Sequence, residues 1–355
     1  MLAFEKCGGG QSPYYLDAHL CGDPWDRGFF YPPVLFAFFR WTRPLPLATS
    51  VVLWTEFQMV GWVGVFLVWV KTIARRREPG PRHEVVIFCI LLALQYPFVF
   101  MLERGNTDIG SILLFSLAAV LFLRGRVAPA GAAAGLAAGF KFWPLMAVVV
   151  VTASIAWAGR RVGKWTWLRF GGAAFGAFVL TLLPFPRDAR IYVFDIIPSF
   201  AKVITPDTEW SHSISTFVGD NYPVFGFILA ALLMLSWAWA GARAIERDDA
   251  GTAFAGALAT ATYVARTSYD YNLVSVYPLL LLLFFRAQRT NRWALLVFGL
   301  FAIAGDRRLF AIKGAHILTP SLHLTLELAF LLMAALVVGR PDDNPASAAQ
   351  PQPAD

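Results

Sequence analysis

The sequence predicts an all-α, polytopic membrane protein with about eleven transmembrane segments. Of its 355 residues, 57% are hydrophobic and only 15% are charged, whereas soluble domains carry about 25% charged residues. The mean hydropathy is +0.57, and the apolar residues form continuous blocks such as 85–102 and 322–338. Such blocks indicate helices, because the strands of a membrane barrel alternate apolar and polar side chains. This composition excludes a soluble enzyme, a disordered chain and a disulfide scaffold.

The boundaries of the segments follow from the apolar stretches, since a helix needs about 20 residues to cross about 30 Å of hydrocarbon. Residues 128–158 are too long for one span, and Pro144 interrupts them. We therefore predict two short helices that form a hairpin with Lys141 at its turn. The predicted segments are 46–70, 85–102, 109–123, 128–140, 144–158, 170–183, 221–240, 251–264, 273–285, 293–304 and 321–339.

The basic residues predict the orientation of these segments. Seventeen of the 30 Lys and Arg residues lie in alternate short loops and in the C-terminal tail, and the face with basic loops is cytoplasmic. We therefore expect residues 1–45 to form an external loop, 46–339 a transmembrane helical domain and 340–355 a disordered cytoplasmic tail. No apolar segment would carry residues 1–45 outward, so we hypothesise that one upstream helix is absent, which would make twelve.

Acidic residues gather on the predicted external face, which holds 13 of the 23 Asp and Glu residues. A transporter places its ionisable groups near the bilayer midplane, so this distribution favours chemistry at the membrane–water boundary. Glu56 and Glu327 are different because they lie inside predicted spans. We expect each to face other helices and to form an interhelical hydrogen bond.

Four external clusters are candidate sites: residues 103–108, Lys141, residues 184–220 and residues 266–272. Each also has an ordinary interpretation as a solvated loop or, for Lys141, as a side chain that extends to the surface. The helices flanking Lys141 are only about 20 Å long at 1.5 Å per residue, so the turn is expected below the surface. A buried ammonium there needs an anion, which a lipid phosphate would supply. No nucleotide-binding or metal-ligand motif is present in the sequence, so no cofactor and no metal are predicted.

Three motifs, taken in order, resemble a known family. They are Tyr31-Pro32-Pro33, the run 104–108 (Arg-Gly-Asn-Thr-Asp) and Ala130-Gly131 followed by Lys141-Phe142-Trp143-Pro144. Together they resemble the polyprenyl-phosphate-mannose-dependent mannosyltransferases of glycosyltransferase family 87, which are bacterial membrane proteins with the GT-C superfold. The resemblance covers roughly residues 12–290, and Ser268-Tyr269-Asp270-Tyr271-Asn272 is similar to a polar run that these proteins carry before a late span.

The resemblance implies an enzyme of the bacterial inner membrane with its active face outside. It implies transfer of a hexose, with mannose favoured, from a polyprenyl phosphate to a lipid or glycan acceptor. An acid in the first external loop would act as base, and the family's acid lies upstream of the residues that match here. Asp17 and Asp26 are the fallback candidates. Lys141 with Arg104 or Arg266 would bind the donor phosphate, and the predicted sugar or acceptor ligands are Asn106, Asp108, His212, Asp270 and Asn272.

Two other functions stay open at this point. One is a transporter or flippase for a lipid or sugar, which would be expected to show inverted repeats; the sequence has no evident internal repeat. The other is a catalytically silent membrane scaffold, which the departure at the N-terminal acid favours. In every case we expect a membrane partner and no nucleic acid.

Overall fold

The computed structural model describes Tyr14 and residues 31–74, 82–103, 106–199, 213–214, 222–265, 270–290, 293–304 and 320–340. These residues form helices joined by short turns, and no strand occurs among them. The α-helices are α1 (Pro33–Phe38), α2 (Leu47–Ala74), α3 (Arg82–Ala93), α4 (Tyr96–Glu103), α5 (Asp108–Leu123), α6 (Val127–Phe140), α7 (Pro144–Trp157), α8 (Gly159–Val162), α9 (Thr166–Leu182), α10 (Pro186–Ile191), α11 (Ile197–Ser199), α12 (Pro223–Glu246), α13 (Ala250–Val264), α14 (Tyr277–Thr290), α15 (Trp293–Ala304) and α16 (Pro320–Gly339). Phe39–Thr42 and Asp270–Val276 are 3₁₀-helices, and Tyr192–Ile196 is a π-helical turn.

The all-α prediction is confirmed for the described residues, and helical structure occurs within every predicted segment. Among the described helices, three are long and apolar enough to cross a membrane, namely those containing 47–71, 224–246 and 322–339. A fourth span results if α9 is counted together with the helical segment Pro186–Ile196, which follows it at an angle of 117°. The number of eleven spans therefore stays a prediction.

The span predicted over residues 85–102 is not one continuous helix. The chain forms α3 and α4 instead, with a break at Leu94 and Gln95. The reason is Pro97, which has no N–H to donate to the carbonyl of Ala93 and therefore prevents a continuous helix at that point. The helical hairpin with Lys141 at its turn is confirmed by α6 and α7.

Helix α6 owes its position to small residues. It packs along α9 and α5, and Gly131 and Gly135 bring its backbone against α9. A Cβ atom added to Gly131 would overlap the carbonyl oxygen of Phe170, and one added to Gly135 would overlap that of Ala174. The two backbones are therefore in direct contact, an arrangement that small residues permit between membrane helices.

Three of the segments predicted to share the cytoplasmic face contact one another. Arg161, in α8, forms an ion pair with Asp248, in the turn after α12, at 3.1 Å. Arg247 in that turn donates to the carbonyls of Val338 and Arg340 at the end of α16. This grouping agrees with the alternation of basic loops, whereas the assignment of that end to the cytoplasm stays a prediction.

The two acids predicted to face other helices differ from each other. Glu327 is fully buried in α16, and its carboxylate lies 3.5 Å from Nε2 of His323. Glu327 is therefore buried as predicted, but this neighbour lies on the same helix. The hydrogen bond between helices is made by His323, whose Nε2 donates to the carbonyl of Ala302 in α15 at 2.6 Å. Glu56 is exposed on the surface of α2, and for that residue the prediction is wrong.

Candidate functional site

The turn between α6 and α7 places Lys141. Helix α6 ends at Phe140, and Lys141 adopts extended backbone angles of φ −148° and ψ 134°. Pro144 then begins α7 at its first position, where the absence of an N–H does no harm and the fixed φ favours a helix. The sequence Lys-Phe-Trp-Pro thus ends one helix and begins the next within three residues.

A second turn, residues 106–108, supplies the partners of Lys141. It leads into α5, whose first residue is Asp108. The Lys141 ammonium donates to Oδ1 of Asn106 at 2.9 Å, and it lies 2.6 Å from Oδ1 of Asp108. Two of the predicted clusters, which are 35 residues apart in sequence, therefore form one site.

This charge pair is buried, since the side chain of Asp108 is 0% exposed and that of Lys141 is 13% exposed. Trp143 Nε1 also donates to Oδ1 of Asp108, at 2.9 Å. The other oxygen, Oδ2, accepts no hydrogen bond from the described residues. Burial lowers the pKa of Lys141, and the negative charge of Asp108 opposes that shift. The pair is neutral as a whole, which reduces the free energy needed to bury it.

Aromatic residues cover the site from the N-terminal side. The Lys141 ammonium lies 5.8 Å from the ring centroid of Tyr31, within the range of a cation–π contact. The Tyr14 hydroxyl donates to the Tyr31 carbonyl at 2.7 Å, and its ring stacks on Tyr192 at 6.2 Å between centroids. Burial raises the pKa of Tyr14, so its hydroxyl remains a neutral donor.

Gln58 of α2 supports the turn from a third direction. Its side-chain amide donates to the main-chain carbonyl of Asn106, and both residues are buried. The oxygens Gln58 Oε1 and Thr107 Oγ1 are buried without a hydrogen-bond partner in the described structure. The turn therefore presents fixed polar atoms close to the ammonium.

The late polar run approaches the same end of the bundle. The 3₁₀-helix Asp270–Val276 packs against α4, the helix that precedes the Asn106 turn. Asn272 is 3% exposed, and its Oδ1 has no partner among the described residues. Ser275, on the same 3₁₀-helix, contacts the hydroxyl of Thr262 in α13. These contacts place Asn272 beside the segment that leads into the site.

The structure thus brings together three predicted residues, Lys141, Asn106 and Asp108, and places the element carrying Asn272 beside the segment leading to them. Five other predicted residues lie outside the described part of the chain: Asp17, Asp26, Arg104, His212 and Arg266. For Asp270 only the backbone is described. Within the described part of the chain, no group of three or more His, Cys, Asp and Glu residues could hold a metal ion.

Three contributors were missed from the sequence: Gln58, Trp143 and Tyr14. Trp143 stands in the motif quoted for Lys141, but a tryptophan near a membrane surface is expected without any partner. Gln58 carried a signal, because it is a lone amide inside an apolar segment. Such a residue is expected to face another helix.

Comparison with known proteins identifies the family of the chain. Neither a curated protein nor a solved structure matches the chain. The family model described as glycosyltransferase family 87 matches residues 29–268, a range that includes Tyr31, Asn106, Asp108 and Lys141 and excludes Asn272. The match covers more than half of the sequence, and the chain therefore belongs to glycosyltransferase family 87, a family of membrane glycosyltransferases.

Proposed function

We propose that the protein transfers a hexose, with mannose favoured, from a polyprenyl-phosphate donor to a lipid or glycan acceptor at the extracytoplasmic face. The observation that carries the proposal is the Lys141 ammonium, which is fixed beside Asn106 in the turn of a short apolar hairpin. A cation at a membrane surface suits the phosphate of a lipid-linked sugar. The family supplies the reaction class, and the lipid donor, the sugar and the outer face are parts of the proposal.

The chemistry assigned to the site is a direct displacement with inversion. The acceptor hydroxyl attacks C1 of the sugar, the bond from C1 to the phosphate oxygen breaks, and the hydroxyl proton passes to a carboxylate. Asp17 and Asp26 are the candidates for that base. The departing lipid phosphate gains negative charge, which Lys141 with Arg104 or Arg266 would stabilise.

The sugar contacts in this proposal are hydrogen bonds from polar side chains close to the phosphate site. Asn106 and Asn272 are described by the structure and are buried, and His212 and Asp270 are proposed from the sequence. The unpartnered Oδ1 of Asn272 is an acceptor that a sugar hydroxyl would satisfy. No metal is assigned, because cations of the chain perform the charge stabilisation in this mechanism.

The test is transfer of radiolabelled mannose from polyprenyl phosphate in membranes that contain equal amounts of each full-length variant. Lys141→Met keeps the aliphatic stem and removes the charge. We expect turnover to fall about 10²- to 10³-fold, by analogy with the loss of one transition-state donor. Arg169→Met is the matched control, since Arg169 is an exposed cation of α9 near the opposite end of α6. Transfer by Lys141→Met at the unmodified rate would contradict the assignment of the phosphate to Lys141.

A further inference from the structure

The carboxylate of Asp108 is bound on one oxygen by two donors from the same turn. Trp143 Nε1 and Lys141 Nζ both approach Oδ1, at 2.9 and 2.6 Å. Asp108 is fully buried, and its backbone N–H donates to Oδ1 of Asn106 at 3.3 Å. Asp108 is therefore fixed through both its side chain and its backbone N–H. Its carboxylate in turn holds the Lys141 ammonium.

We infer that Asp108, braced by Trp143, is a positioning residue that fixes the Lys141 ammonium for the donor phosphate. This inference rests on the proposed function, and it replaces the predicted role of Asp108 as a sugar ligand. The geometry supports it, because Oδ1 is already occupied by two donors and the whole side chain is excluded from solvent.

Positioning has a physical purpose at this site. A lysine stem has four rotatable bonds, and an ammonium that must be ordered during the reaction stabilises the transition state less than one that is already in place. The donor is a phosphodiester with one negative charge, whereas the departing lipid monophosphate carries up to two. Because the leaving group carries more negative charge than the bound donor, a cation fixed beside the phosphate interacts more strongly with the leaving group, which is the condition for catalysis.

Among the described helices packed on α6, Asp108 is the acidic residue beside Lys141. Of the helices packed on α6, α1 and α7 contain no charged residue. Helix α5 contributes Asp108, and the one charged residue of α9 is Arg169. Arg169 is next to Phe170, which packs on Gly131, at the end of α6 remote from Lys141. The ring of Tyr31 also lies near the ammonium, with its centroid 5.8 Å from Nζ.

The experiment measures the rate of transfer against pH for the full-length protein in membranes. Asp108→Asn keeps the shape of the side chain and removes its charge. Without that charge the buried amine loses its proton at lower pH, so the alkaline limb of the rate should move down by about 1–3 pH units. Trp143→Phe keeps both charges and removes one donor to Asp108. It should lower turnover and leave that limb in place.

The outcomes separate this inference from the proposed function. A Lys141→Met variant that transfers sugar at the normal rate overturns the proposed function itself. If Lys141→Met is slow but the limb of Asp108→Asn stays at the pH of the unmodified protein, the positioning role is rejected. Where Asp108→Asn does not fold, Trp143→Phe is compared in the unmodified and Lys141→Met backgrounds. A loss of rate of equal size in both backgrounds shows that Trp143 does not act through Lys141 and also rejects the inference, whereas a loss confined to the Lys141 background supports it.

Discussion

The carbonyl oxygen of Ala174 lies so close to Gly135 that no Cβ atom fits between α6 and α9. We therefore expect Gly135→Leu to separate the two helices and to destabilise the protein by about 1–3 kcal/mol or more, as overpacking does. The measurement is thermal unfolding of the purified protein in detergent. Gly172→Leu is the matched control, since a Cβ at Gly172 of α9 meets nothing within 4 Å. Equal melting temperatures for the two variants would mean that the close contact contributes no stability.

Comparison of Glu327 with Glu56 gives a second prediction. Both are glutamates within long apolar helices, and only Glu327 is buried. Glu327→Ala removes a fully buried side chain beside His323, so we expect it to destabilise the protein by about 0.5–3 kcal/mol. Glu56→Ala should change stability by less than about 0.5 kcal/mol, as is usual for surface positions. Thermal unfolding again provides the measurement, and comparable destabilisation by both substitutions would contradict the difference in burial.

Asn106→Asp tests the charge balance around Lys141. The substitution adds a second carboxylate beside the ammonium with almost no change in shape, so the local charge becomes negative and repels the donor phosphate. We expect the KM for the donor to rise about tenfold, which corresponds to roughly 1.4 kcal/mol. Asn106→Ala removes the same amide without adding charge and should raise KM less. If the two variants have the same donor KM, the phosphate does not approach this turn.

The orientation of the chain is open to a labelling test. In a background with Cys7, Cys21 and Cys89 replaced by Ser, Asp195→Cys should react with an impermeant maleimide added to intact cells. Lys164→Cys should react only after the membrane is opened. Both positions are exposed, so access to reagent depends on the side of the membrane. The reverse pattern would put the Lys141 turn on the cytoplasmic side and would contradict an extracytoplasmic donor site.

Local signals in the sequence were enough to predict the hairpin. Pro144 marks where α7 begins, and the Ala- and Gly-rich run before Lys141 is typical of a helix packed closely on a neighbour. The break between α3 and α4 was not predicted, although Pro97 is visible in the sequence. The segment was assigned from its continuous apolar residues, and the effect of Pro97 on backbone hydrogen bonding was not considered. The apolar stretch is long enough for one span, and length alone does not reveal the interruption.

The partners of Lys141 were beyond such local reasoning. The need for an anion followed from burial, and the sequence suggested a lipid phosphate for it. In the structure Asp108 supplies that charge, which follows only once α5 is packed against α6. Gln58 illustrates the same limit, since its polarity indicated a buried contact but its partner, the carbonyl of Asn106, is a main-chain atom that no side-chain pattern reveals.

The shortness of α6 and α7 also affects the surrounding lipid. Each has 14 residues and is therefore about 21 Å long, some 9 Å less than the hydrocarbon thickness of an average bilayer. A hydrophobic segment shorter than the bilayer is accommodated by local thinning, by side chains that extend to the surface or by association. If this hairpin crosses the membrane as predicted, thinning would bring the headgroups beside the Lys141 turn deeper than elsewhere in that leaflet, and with them the phosphate of a long-chain lipid.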